Sequence, residues 1–399
     1  MQEIKKKKRI LIFSLAYYPS HVSGAETAIK DTTDRISPSD IVFHMITKWY
    51  DKSQPRVEQI GNVLVHRVGG GSSYISKAMY IPLAAAMGVV LHRKYRYNGL
   101  WAMMTYMLIP VVLMRLVGIR TPYVLSLQDG DTFQRVFERW QIAPVLPLLK
   151  YGFKNAATIQ VISEYLATWP PKLGYTGTIE IIYDGANPQS IHPTCSAEEV
   201  EALRATFTQK KDDVLLMNTA RLVHQKGADT TIRALLLLPE RVKLVLVGDG
   251  MERKKLEELV EQHSLTNRVI FTGNVDRTVV STYRFAADIF VGPSRSEGLG
   301  HAFLSAMACR LPVVTTQVGG IADFLFDATR NPEKETTGWA VDPDSPEQIA
   351  KAVTYIMEHP DEVATVVDTA RTMVEEQFDW DVIAQDMHKK VFTKIINAS

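Results

Sequence analysis

The chain has 399 residues, 46% hydrophobic and 22% charged, the balance of a soluble globular protein. At roughly 100–200 residues per domain that length points to two domains, each able to bury its own core. A net charge of +1, from 45 basic and 44 acidic residues, excludes a general nucleic-acid binder.

A basic run, Lys5 to Arg9, leads into the apolar Ile10, Leu11, Ile12 and Phe13. No small-residue cleavage site follows, so 10–15 reads as a buried first strand rather than a leader. A helix over 24–36 and strands over 41–47 and 63–67 come next. A long basic and apolar helical stretch covers 74–96, with His92, Arg93, Lys94 and Arg96 at its end. It suits either packing on the N-terminal sheet or contact with an anionic membrane surface. The spacing then gives a strand over 100–104, a helix over 108–117, and strands over 123–127, 158–162 and 179–182. The apolar run 100–114 contains Pro110 and is shorter than the ~20 residues of a membrane span, so no transmembrane helix is expected.

The same rhythm restarts after a breaker-rich hinge over 184–196, which holds Gly185, Asn187, Pro188 and Pro193. Strands are expected over 214–219, 242–247, 269–271, 289–291 and 312–315. Helices are expected over 228–238, 251–264, 279–287 and 301–309, with a terminal amphipathic helix over 379–396. Alternating short apolar strands and helices imply parallel sheets covered on both faces. The fold class is α/β, two Rossmann-like doubly wound domains facing across a cleft. Residues 1–190 read as the first domain, 191–378 as the second and 379–399 as a terminal helix. The two cysteines, Cys195 and Cys309, match no metal spacing or disulfide framework and suit a reducing, cytoplasmic setting; Cys309 lies in an apolar run and reads as core.

Ligands of such sheets bind beyond the carboxyl ends of the strands, so the segments after each strand matter most. After the first strand, Gly24 opens a helix whose N-terminus favours anions, but the G-x-G-x-x-G pattern of a dinucleotide site is absent. After 214–219 come Arg221 and Lys226, a bidentate fork and a mobile point charge for phosphate. Gly248, Asp249 and Gly250 form a glycine turn after 242–247. The strongest signal is Pro293-Ser294-Arg295-Ser296-Glu297-Gly298-Leu299-Gly300-His301, between a strand and a helix. Here Glu297 is a carboxylate without packing duty, and Gly298 and Gly300 let backbone N–H groups turn to a ligand. His301 and Ser305 share a helix face. Gly319 and Gly320 repeat the strand–glycine–helix arrangement. Two cations, glycine amides and a carboxylate suit a nucleoside diphosphate linked to a hydroxylated group.

In this order the motifs resemble those of glycosyltransferase family four, retaining enzymes of GT-B fold. Gly24-Ala25-Glu26, Tyr183 to Asn187, Arg221-Leu222 with Lys226-Gly227, the 293–300 stretch, Leu311 to Val314, Gly319-Gly320 and Phe378-Asp379-Trp380 follow in register. The resemblance implies a hexosyltransferase that moves sugar from GDP-mannose or a UDP-sugar to a glycan or lipid-linked glycan, with peripheral contact to the inner membrane face open. It implies no cofactor and no metal beyond the co-substrate. Arg221 and Lys226 would hold the diphosphate, Glu297 the donor sugar, and Gly24, Gly248, Asp249, Gly298, Leu299, Gly300, His301 and Ser305 would line the donor site. Gln128 and Asp129 would contact the acceptor or sugar. Ser305 stands where the family often has a second glutamate, and Gln128 where it often has histidine. Serine bonds a ribose less well than a carboxylate, and glutamine carries no proton. These two departures carry the alternative of a protein that binds nucleotide sugars and turns them over weakly or not at all.

Overall fold

The computed structural model describes residues 7–19 and 23–398. Lys5 and Lys6 of the basic run, and residues 20–22 of the loop before Gly24, lie outside the described residues. The chain forms two compact units, one running to Asp184 and resuming at Trp380, the other spanning Gly185–Asp379. The break precedes the expected one after residue 190. The segment beyond Asp184 belongs to the second unit, where the Ala186 N–H donates to the Phe378 carbonyl at 2.9 Å.

The first unit holds β1 (Lys8–Phe13), β2 (Ile41–Lys48), β3 (Val57–Ile60), β4 (Val63–Val68), β5 (Gly99–Met103), β6 (Tyr123–Leu127), β7 (Thr158–Val161) and β8 (Ile179–Ile181). They form one sheet in the order β3-β4-β2-β1-β5-β6-β7-β8, parallel except for β3. Burial on both faces explains the unbroken apolar runs: Ile10 to Phe13 of β1 are completely buried. Burying each such side chain contributes about 1.5–3 kcal/mol. β1 starts two residues earlier than the pattern suggests, because Lys8 and Arg9 pair with Ile41 and Val42 while staying partly in solvent.

The tail packs into this core. Trp380, Ile383, Val391, Phe392 and Ile395 are buried with Trp101 and Phe43, and the Phe392 ring stands edge-on to Trp101 at 5.0 Å and to Phe43 at 5.5 Å. It is not the uniform helix expected over 379–396. Met387–Phe392 is a π-helical stretch between two α-helical ones.

The second unit holds β9 (Val214–Thr219), β10 (Val242–Val247), β11 (Val269–Gly273), β12 (Ile289–Gly292), β13 (Val313–Thr316) and β14 (Trp339–Val341), all parallel in the order β11-β10-β9-β12-β13-β14. The order reverses between β9 and β12, which opens a crevice at their carboxyl ends. β3 and β14, not among the expected strands, are too short or too polar to show a period. Helices Pro346–Glu358 and Pro360–Gln377 are likewise additions to the expected elements, although each starts with proline at a first-turn position.

Among the described residues one helix, Tyr74–Tyr95, is long and apolar enough to cross a membrane. Its inner face covers the first sheet: Tyr80, Ala84, Ala85, Gly88 and Leu91 are buried, and the Tyr80 hydroxyl donates to the carbonyls of Ser14 and Ile46 at 2.8 and 2.9 Å. The run 100–114, on which the expectation of no span rested, divides between β5 and a helix at Leu108–Leu116.

Candidate functional site

In the second unit the loops leaving β9 and β12 lie at the switch point and carry the sharpest sequence signals. The Lys226 ammonium donates to Glu297 Oε1 at 2.5 Å, and the Ser294 hydroxyl donates to the same oxygen at 2.9 Å. Glu297 is buried and the Lys226 side chain is about one-fifth exposed. Oε2 of Glu297 makes no hydrogen bond among the described residues, so one carboxylate oxygen keeps its acceptor capacity. Arg221 is exposed and has no ion pair among the described residues. The site therefore presents one compensated cation and one uncompensated one, the latter on an open loop.

Backbone contact holds these loops together, and it is what the glycines permit. Gly227, at φ +66°, sits so close to the next loop that a Cβ would collide with the Pro293 carbonyl oxygen. A Cβ on Gly248 would meet the Ala220 carbonyl, one on Gly250 that of Leu222, and one on Gly319 that of Glu297. The loops after β9, β10, β12 and β13 thus lie carbonyl against glycine, and Arg295 N–H donates to the Gln225 carbonyl at 2.7 Å. Gly248, expected to line the donor site, also has a packing reason to lack a side chain, because the Ala220 carbonyl lies against it.

Side chains complete the frame. Asn218 donates to the Val291 carbonyl at 2.7 Å, tying β9 to β12. Thr315 and Thr316 donate to the Gly292 and Ser294 carbonyls at 2.7 and 2.6 Å, fixing the exit of β12. Arg295 bonds both Asp229 oxygens at 3.0 and 2.8 Å and also Asp344. Burial opposes ionisation of Asp229, but the hydrogen bonds and charge of Arg295 outweigh it and hold the carboxyl below its usual range.

Gly300, at φ +110°, precedes helix His301–Ala308, so Glu297 and a helix N-terminus share one loop. Gly298 and Leu299 are buried within that loop and His301 is half-buried at the helix start. Ser305 is 2% exposed, and its hydroxyl accepts the Asn187 N–H at 3.0 Å, which leaves the O–H as a donor. Asp249 accepts its neighbour Gly250 N–H at 2.7 Å and pairs with Arg253 at 3.4 Å. One residue escaped the sequence reading: Arg284 is buried, bonds the Ser190 and Thr219 hydroxyls at 3.4 and 3.3 Å, and leaves Nε without a partner. Burial, chiefly, pulls its pKa below the usual arginine range. A buried cation against the last residue of β9 adds positive potential at that strand end.

Gln128 and Asp129 follow β6 in the first unit. Asp129 is buried, accepts the Thr105 hydroxyl at 2.9 Å, and burial raises its pKa to about 6. Met104, just before Thr105, holds φ at +70°, a strained conformation for a residue with a side chain. The Gln128 amide donates to Asp184 at 3.0 Å, while its buried Oε1 has no partner. Gly24 begins helix Gly24–Asp34, and Glu26 accepts the Ser23 N–H at 2.7 Å at that helix start. No group of three or more His, Cys, Asp or Glu side chains placed for a metal ion occurs among the described residues. A cavity of about 810 Å³ in the second unit, lined by Asp323, Lys334, Asp368 and Glu376 among others, includes none of these site residues.

Comparison with known proteins agrees with this arrangement. A family model described as glycosyl transferases group 1 matches residues 199–373. An uncharacterised glycosyltransferase of Methanocaldococcus jannaschii is 32% identical over 95% of this chain and 96% of its own. A GDP-mannose-dependent alpha-(1-6)-phosphatidylinositol monomannoside mannosyltransferase of Mycobacterium tuberculosis is 27% identical over 61% of this chain and 64% of its own. Among solved structures, sucrose-phosphate synthase from Thermosynechococcus elongatus superposes with a TM-score of 0.85 at 22% identity, covering 98% of this chain and all of that one, which shows a shared GT-B fold. With its strand-end loops and its full-length relative, the chain belongs to the group 1 glycosyltransferases, enzymes that draw on a nucleotide-sugar donor.

Proposed function

We propose that the protein is a retaining hexosyltransferase that takes a hexose from a GDP- or UDP-linked donor and transfers it to a glycan or lipid-linked glycan. The observation that carries this reading is the Lys226–Glu297 pair at 2.5 Å on adjacent loops of the β9/β12 switch point. Lys226 and Arg221 hold the donor diphosphate, and Glu297 accepts hydrogen bonds from the sugar hydroxyls through Oε2. The acceptor hydroxyl attacks the anomeric carbon from the side on which the diphosphate departs. The bond from that carbon to the phosphate oxygen breaks, the bond to the acceptor oxygen forms, and the leaving phosphate takes the hydroxyl proton. The two cations stabilise the charge gathering on the departing diphosphate, a large source of rate enhancement in a preorganised site. They serve the role that a metal ion fills elsewhere, so transfer proceeds in chelator.

Gln128 offers its unpartnered Oε1 to a sugar or acceptor hydroxyl, and Asp129, beside it, titrates near neutrality. Two free cysteines, Cys195 part-exposed and Cys309 buried, support a reducing, cytoplasmic setting. The test is a thermal-shift screen with UDP, GDP, ADP and their sugars, followed by transfer assays in EDTA. A shift with one nucleotide class and product formed in EDTA support the reading. Binding without either transfer or slow donor hydrolysis assigns the chain to the non-transferring alternative that Ser305 and Gln128 raise.

A further inference from the structure

Surface helices of soluble proteins bury one apolar face and turn a polar face to water. Helix Tyr74–Tyr95 does not. Opposite its buried face, Ile75, Met79, Leu83 and Val90 are 76%, 56%, 43% and 58% exposed, and Tyr74 at the start is 81% exposed. With the exposed Ala78, Pro82 and Ala86 they fall at helical spacing and form one continuous apolar stripe. The stripe ends in exposed Arg93, Lys94 and Arg96. The adjacent helix Leu108–Leu116 ends in Leu116, 64% exposed, followed by Val117 at 67% and then Arg120.

Charge is segregated along the same stretch. Between Glu58 and Asp129 the sequence has no acidic residue, yet carries Arg67, Lys77, Arg93, Lys94, Arg96, Arg115 and Arg120. Beside the C-terminal end of the stripe lies a cavity of about 470 Å³ whose lining includes Lys7, Lys8, Arg9, His92, Arg96 and Arg120 and, among the described residues, no Asp or Glu. None of the five lysines and arginines there has an ion pair among the described residues. A cluster of uncompensated cations around a cavity has the chemistry of a phosphate site, and an exposed apolar stripe next to it has the chemistry of an acyl boundary.

We propose that this face of the first unit docks on an anionic lipid bilayer. The stripe of helix Tyr74–Tyr95 lies in the headgroup–acyl boundary, and the cavity of Lys8, Arg96 and Arg120 takes a lipid phosphate. The helix lies on the membrane and does not span it, since Tyr80 and its buried neighbours hold the other face to the sheet. Charge favours a bilayer over a second copy of the chain: the cations at the C-terminal end of the stripe, Arg93, Lys94, Arg96 and Arg120, are of one sign, opposite to that of anionic lipid.

The test is flotation of the full chain with vesicles of phosphatidylcholine alone and with about one-third phosphatidylglycerol, at low and high salt. The protein is expected to float with the anionic vesicles, to lose most of that binding at high salt, and to stay in solution with neutral ones. The triple variant Ile75→Ser, Met79→Ser and Val90→Ser is expected to lower partitioning at least tenfold. Arg96→Gln with Arg120→Gln is expected to remove the preference for anionic lipid. Both sets lie on the surface, and unchanged melting temperature and nucleotide-induced thermal shift check that the fold and donor site are intact. Equal flotation of wild type and variants, or none at all, overturns the proposal. So does a dimer in sedimentation that the triple variant abolishes, which assigns the stripe to a second copy. These outcomes are independent of the donor-site reading, which is measured without vesicles.

Discussion

Glu297→Gln separates binding from transfer. In the structure Glu297 Oε1 neutralises Lys226 at 2.5 Å, and Oε2 is the oxygen assigned to the donor sugar. The amide keeps the shape and one acceptor but removes the negative charge. Lys226 then meets a diphosphate without a competing carboxylate, so binding of the nucleoside diphosphate alone should hold or tighten. Transfer should fall. A hydrogen bond to a charged group contributes about 1.5–3 kcal/mol, and each ~1.4 kcal/mol is tenfold in rate. The expected loss in kcat/KM is therefore roughly tenfold to a hundredfold. Calorimetric titration with the nucleotide and initial-rate measurement with the sugar donor read the two effects separately. A variant that transfers at the wild-type rate, or whose nucleotide binding drops as far as its turnover, refutes the assignment.

Arg221→Ala removes an exposed cation with no ion pair, so the melting temperature should stay within a degree or two, about the scale of a surface substitution, while nucleotide affinity falls at least tenfold. Arg295→Ala should do the reverse, costing about 1–3 kcal/mol in chemical denaturation because Asp229 and Asp344 lose their shared partner. Gly319→Ala places a Cβ against the Glu297 carbonyl at φ +58°; roughly 2 kcal/mol of destabilisation together with weakened donor binding is expected. Asp129 is raised to about 6 in the fold from an ordinary 3.8. Its neutral form is thus the favoured one, with stability present at acid pH and lost as pH rises through 6. At neutral pH and above the ionised carboxyl costs on the order of 3 kcal/mol, so Asp129→Asn should raise the melting temperature at pH 8 and leave it unchanged near pH 4.

Much of this was open to sequence reading because strand-end motifs are local. Pro293 to Gly300 occupies a few consecutive residues, and the short apolar run before it fixes its place at the end of β12. What escaped depends on distant partners. Arg295 reaches Asp229 and Asp344, 66 and 49 residues away, and no local pattern announces either bond. Arg284 becomes notable only when burial leaves its Nε unpartnered beside Thr219. Ser305 has the spacing of a ligand contact, and nothing in that spacing announces the bond its hydroxyl accepts from Asn187, 118 residues earlier. Gly248 illustrates the same limit: glycine beside a ligand and glycine beside a carbonyl are identical in sequence. The outer face of helix Tyr74–Tyr95 is the opposite case, since its apolar character was plain while its exposure could be seen only once the inner face was known to be Tyr80, Ala84 and Gly88.

On the proposed reading, the β9 and β12 loops hold a nucleoside diphosphate through Arg221 and Lys226. Calorimetric titration of UDP, GDP and ADP into the wild type and into the Arg221→Ala, Lys226→Ala double variant, both in EDTA, tests it most directly. One nucleotide binding the wild type and binding the folded double variant at least a hundredfold more weakly is the outcome this site requires. Unchanged affinity in the double variant, or no binding of any nucleotide to the wild type, would contradict it.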